Sequence, residues 1–176
     1  NFPLGGGFNS RINLNLREDK GITYGANSAF MGGKTLGWFE VGTDLTAANT
    51  AQGITEVFKE INQYIDNGAT DEEIQFMRNA FTLSDALEFE TPNSKARFLR
   101  QLQSYGLEKG YRNEQVEIIN SISKDEINAL AKQYLSTDAL QVIVVGDKDA
   151  ILEQLESLNM PIIELSVDTN SREKIN

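Results

Sequence analysis

The sequence predicts an α+β fold, a largely antiparallel sheet of three or four strands with helices packed on one face. Three observations carry that expectation. Two β-rich segments, Ile22 to Met31 and Leu36 to Leu45, flank the turn Gly32-Gly33-Lys34-Thr35. A series of helical patterns follows them, and a β-branched apolar run, Leu140 to Val145, returns late in the chain and reads as a buried strand that must rejoin the hairpin.

Taken in order, Phe8, Ile12 and Leu16 recur every four residues, the spacing of one helical face, so a short helix is expected from Phe8 to Glu18 with Gly21 as its C-cap. The hairpin comes next. Between Ala47 and Asp66 an apolar stripe of Ile54, Val57, Phe58, Ile61 and Ile65 marks a long amphipathic helix closed by Asn67-Gly68. Thr70 with Glu73 forms a capping box that opens another helix, expected to reach about Glu90. Thr91-Pro92 starts a third, in which the missing proline N–H costs nothing at the first helical position, and Ala96, Leu99 and Leu102 carry its stripe to Gly106. A shorter helix is expected around Val116 to Ile119, and Ser123 with Glu126 caps one through Ile127, Leu130, Ala131 and Tyr134. Ala150 to Leu158 reads as helix and Pro161 to Leu165 as an edge strand. One domain over residues 1–166 and a mobile polar tail over 167–176 complete the reading.

Composition narrows the chemistry. With 26 acidic against 16 basic residues, the formal charge of −10 repels phosphate backbones and argues against nucleic acid as a partner. No run approaches the roughly 20 apolar residues that cross a bilayer. Cysteine and histidine are both absent, which removes thiolate chemistry, the commonest zinc ligand and the commonest general base. Serine catalysis has neither a base nor a GxSxG elbow, and the Gly5-Gly6-Gly7 cluster lacks the last glycine of GxGxxG and any following GK[ST]. Those glycines are therefore read as conformational. The acidic groups Glu18-Asp19, Asp71-Glu72-Glu73, and Asp147 with Asp149 sit at expected helix ends, where they serve as caps or dipole partners better than as metal ligands.

Arg17 and Tyr24, seven residues apart, are the candidate site residues. Arg17 falls in the last turn of the first helix and Tyr24 enters the first strand, so the turn at Gly21 can bring a guanidinium and a phenol toward one locus. Such a donor pair can hold a peptide carbonyl and stabilise an oxyanion. On spacing alone the alternative stays open: an arginine answering helix C-terminal carbonyls and a tyrosine buried in the sheet.

The stretch LGGGFNSRINLNLREDKGITYGA, with the later LQVIVVGD and PIIEL, closely resembles the second, metal-free half of the pitrilysin/insulysin family, which includes mitochondrial processing peptidase and bacterial zinc proteases. In that family an arginine and a tyrosine seven apart in this motif reach across to the zinc-bearing half, and Arg17 and Tyr24 match them. The resemblance implies a clam-shell endopeptidase for peptide substrates, in which a partner half supplies HxxEH, a distal glutamate and the zinc. This chain would bind no metal and be inactive alone. It also implies that a first strand and helix of the domain are missing before Leu4, and, for the bacterial two-half relatives, a periplasmic rather than cytoplasmic setting. A scaffold role, as played by zinc-less members in a respiratory complex, is the alternative.

Overall fold

The computed structural model describes residues 1–87 and 90–165. Phe2–Gly6 forms one turn of π-helix, with Pro3 near its start, where a missing N–H is harmless. The amides of Leu4, Gly5 and Gly6 all donate to the Asn1 carbonyl at 3.0, 3.0 and 3.2 Å. Helix α1 begins as α-helix at Arg11–Asn13 and continues with wider π turns through Leu14–Asp19. Gly21 then takes the left-handed φ of 64°, and the amides of Lys20 and Ile22 close the helix end on the carbonyls of Asn15 and Leu16.

Strands β1 (Thr23–Gly32) and β2 (Gly37–Leu45) pair antiparallel, with Phe30 opposite Phe39, Met31 opposite Trp38, and an irregularity in β1 between Thr23 and Ala26. Ala26 and Ser28 on one face are buried, with Phe39, Val41 and Leu45 packed at the core's margin, while Met31 and Trp38 on the other face are exposed. Alternation of this kind is what a sheet covered on one side requires.

The helices follow as α2 (Thr50–Asn67), α3 (Asp71–Leu87), α4 (Pro92–Tyr105), α5 (Tyr111–Ser121), α6 (Lys124–Tyr134) and α7 (Lys148–Glu156). Their ends form where side chains satisfy free amides. Thr70 and Glu73 exchange hydrogen bonds at the start of α3, as do Ser123 and Glu126 at α6; Thr91 accepts from Ser94 at α4, and Asp147 from Asp149 at α7. Gly68 and Gly106 close α2 and α4 with φ of 71° and 66°. Helix α5 is longer than Val116–Ile119. Helix α3 is described to Leu87, and Glu90, its expected end, is not helical; residues 88–89 lie outside those described, as does the tail expected over 167–176.

The core gathers Leu4, Ile12, Leu16, Ile22, Ala26, Ile61, Tyr64, Ala69, Ile74, Ala131 and Leu135, so the segment from Leu4 to Ile22 is clamped between the hairpin and helices α2 and α3, with α6 packed on α2. Three expectations are corrected. Among the described residues the sheet has two strands, and neither Leu140–Val145 nor Pro161–Leu165 joins it; Ile143, Val145 and Ile163 are exposed. A β-branched run favours extended backbone, but a strand exists only where a neighbouring edge offers N–H and C=O groups in register, and here it pairs with neither edge. Next, Phe8 is 66% exposed and precedes the helix, although its spacing matches the buried Ile12 and Leu16. Finally, α4 buries none of its residues; Leu99 lies open at 64% exposure, so its apolar stripe is not a core face.

Candidate functional site

Polar residues at alternate positions pin α1 to three different elements. Arg11 reaches α3: its Nε and Nη2 donate to both carboxylate oxygens of Glu73 at 2.5 and 2.7 Å, and Nη2 also donates to the Gly68 carbonyl at 2.8 Å. Its guanidinium stacks over the Tyr64 ring, 4.9 Å from the centroid. Asn13 reaches β1, accepting from the Ala26 amide at 2.9 Å while its Nδ2 donates to the Phe8 carbonyl at 2.6 Å. Asn15 reaches α2, donating to Glu56 at 2.9 Å and Glu60 at 2.6 Å.

Burial alone would raise the Glu73 carboxyl, but the hydrogen bonds from Arg11 and Thr70 outweigh it and hold the group below its ordinary range. Tyr64 goes the other way. Burial, helped by the negative Glu73 and opposed by Arg11, pushes its phenol up to about 12. Its hydroxyl is buried with no hydrogen-bond partner among the described residues. An unpaired buried hydroxyl contributes desolvation cost without return, so Tyr64→Phe is expected to leave stability unchanged or raise it by up to about 1 kcal/mol. A midpoint fall of that size or more in chemical denaturation would mean that the hydroxyl has a partner.

The two sequence-derived site residues lie on either side of the Gly21 turn. Arg17 occupies the π-helical part of α1, where a widened turn re-aims side chains relative to an α-helix. Its guanidinium lies over the Phe8 ring at 4.6 Å and approaches Glu18 at 3.6 Å. Tyr24, the second residue of β1, falls at the irregularity between Thr23 and Ala26 and is 99% exposed. A tyrosine buried in the sheet is therefore ruled out, and the Arg17 contacts are with Phe8 and Glu18 rather than with helix-end carbonyls. Phe8 was missed as part of this locus; nothing in its fourfold spacing separates a platform for an arginine from a core residue. Tyr64, likewise, carries no sequence signal that sets it apart from the stripe beside it.

The arrangement presents an exposed phenol O–H at the start of β1 and a stacked guanidinium near the end of α1, both groups able to donate to a carbonyl or carboxylate. Among the described residues no group of three or more His, Cys, Asp or Glu is placed to hold a metal ion, and the chain has no histidine or cysteine. No described helix is long and apolar enough to cross a membrane. Fold and locus together define an α+β domain that presents hydrogen-bond donors.

Residues 1–81 match the family model of the Peptidase M16 inactive domain. The chain is 26% identical over 150 residues to the non-peptidase homolog YmxG of Helicobacter pylori, with 84% of this chain covered, and 28% identical over 140 residues to the uncharacterized zinc protease YmxG of Bacillus subtilis, with 78% covered. It spans about a third of each relative's length, 34% in both cases. Among solved structures, the peptidase M16 inactive domain from Pseudomonas fluorescens superposes with a TM-score of 0.71 at 23% identity, over 78% of this chain and 33% of that one. A conserved protein from Enterococcus faecalis gives 0.59 at 20% identity, over 74% and 30%. These structural likenesses establish the shared fold.

Proposed function

We propose that this chain is the metal-free half of a zinc-dependent endopeptidase of the pitrilysin/insulysin type. In this reading Arg17 and Tyr24 hold the scissile carbonyl of a peptide, and a zinc-bearing HxxEH half on the same or another chain activates water. The observation that carries the reading is that Tyr24 is fully open to solvent, while Arg17, its guanidinium stacked on Phe8, keeps about a third of its side chain exposed (35%). The match of residues 1–81 to an inactive peptidase domain supports the same assignment. Zinc would supply the Lewis acid and the nucleophilic hydroxide. The residues of this chain would orient the carbonyl and donate to the oxygen as negative charge develops on it. The partner and the periplasmic setting belong to this proposal, as does a peptide substrate.

In the full-length protein assembled with its zinc-bearing half, Arg17→Ala and Tyr24→Phe are each expected to lower kcat/KM for peptide cleavage by about 10²-fold with the fold preserved, since each removes one donor to the oxyanion. Unchanged kcat/KM in both variants overturns the proposal. A scaffold role is the second reading, favoured by the non-peptidase designation of the Helicobacter pylori relative. An HxxEH sequence in the same polypeptide or an adjacent open frame supports the peptidase, and its absence from both supports the scaffold.

A further inference from the structure

We infer that Asn13 is a positioning residue that sets Arg17 and Tyr24 relative to one another; the inference rests on the proposed role of that pair. Asn13 is 3% exposed, and both ends of its carboxamide are used. The Nδ2 end donates to the carbonyl of Phe8, the residue whose ring carries the Arg17 guanidinium. The Oδ1 end accepts from the amide of Ala26, where regular pairing of β1 resumes after the irregularity that presents Tyr24. One buried amide therefore ties the Arg17 platform to the Tyr24 strand.

The rest of that irregularity is held from the far side. Thr23 Oγ1 accepts from the Gly25 amide at 3.1 Å and donates to the Asp44 carbonyl at 2.7 Å, and the Thr43 hydroxyl donates to Thr23 Oγ1 at 3.0 Å. With Thr23 anchored to β2 and Ala26 anchored to α1, Tyr24 and Gly25 are fixed at both ends. Bulged strands re-aim a side chain in this way. Only a side chain that donates and accepts at once can make both Asn13 bonds: aspartate keeps the acceptor and loses the donor, and alanine loses both.

The test uses the full-length protein with its zinc-bearing half. Asn13→Ala is expected to lower kcat/KM for peptide cleavage about 10-fold in the parent, and to lower it no further in the Arg17→Ala/Tyr24→Phe background, because a positioning residue acts only through the groups it positions. An equal loss in both backgrounds marks a general structural defect and overturns the inference. If Asn13→Ala does not fold, Asn13→Asp carries the same comparison. Independently of activity, the Ala26 amide in 15N-labelled protein is expected to exchange about 10-fold faster in Asn13→Ala and near the parent rate in Asn13→Asp. An Ala26 rate unmoved by Asn13→Ala also overturns the inference. Should Arg17→Ala and Tyr24→Phe leave cleavage unchanged, the functional proposal fails, and the exchange rates alone decide whether Asn13 fixes the strand.

Discussion

Replacing Arg11 by methionine is expected to destabilise the protein by about 2–4 kcal/mol, because it strands a mostly buried carboxylate whose cation partner among the described residues is Arg11. Arg11 and Glu73 side chains are 19% and 24% exposed, so the loss should fall below that of a fully buried pair and well above the fraction of a kcal/mol typical of a surface one. The pair also joins three pieces at one point, since Arg11 answers the Gly68 carbonyl at the end of α2 while Glu73 caps α3 through the Thr70 amide. Glu73→Gln removes the charge but keeps the shape, and should cost less. Acid sensitivity follows from the same contact. The Glu73 carboxyl is held below its ordinary value of 4.5, so the folded state binds its proton less readily than the unfolded state does. Its contribution is complete above that value and is lost as pH falls through the lower folded-state range. Glu73→Gln should flatten this part of the stability profile. Denaturation midpoints of Arg11→Met within about 0.5 kcal/mol of the parent would show that the pair behaves as a surface contact.

Gly5→Ala is the second large effect expected, at about 1–3 kcal/mol of destabilisation. A Cβ on Gly5 would sit 2.2 Å from Ser28 Oγ and 2.8 Å from the Ser28 backbone nitrogen. A hydroxyl alone could rotate away, but the backbone nitrogen belongs to β1, and Ser28 is also locked by its hydrogen bonds with Asn1. The Phe2–Gly6 turn must therefore lift off the hairpin, uncovering Leu4, which is fully buried. Gly21→Ala meets no atom within 4 Å, and its cost comes from the left-handed φ alone, so the two variants separate close approach from backbone conformation. Thermal melts of the two proteins compare them directly, and a Gly5→Ala melt matching the parent would refute the close-approach reading.

Helix ends were legible because their causes are local. Thr70 with Glu73, Ser123 with Glu126, Thr91 before Pro92, and the glycines at 21, 68 and 106 each satisfy free backbone groups within one turn of chain. The hairpin was legible for the same reason, its two strands being separated only by a short glycine turn. Leu140–Val145 was misread because strand pairing depends on a distant partner that composition does not name. Phe8 and Tyr64 escaped because a ring under a guanidinium and a ring in a core have the same sequence spacing.

For the site, the sequence by itself determined which groups this chain brings: a guanidinium at 17, a phenol at 24, and no histidine or cysteine with which to build a zinc cradle. It left open whether those two donors were structural. Only the tertiary structure set where they sit, by turning Tyr24 out to solvent at an irregular point of β1 and laying Arg17 on Phe8 from a widened helical turn. The physical reason is that residue type fixes what a side chain can donate, whereas exposure and direction depend on contacts such as Asn13 with Ala26, made between segments whose register no local pattern records.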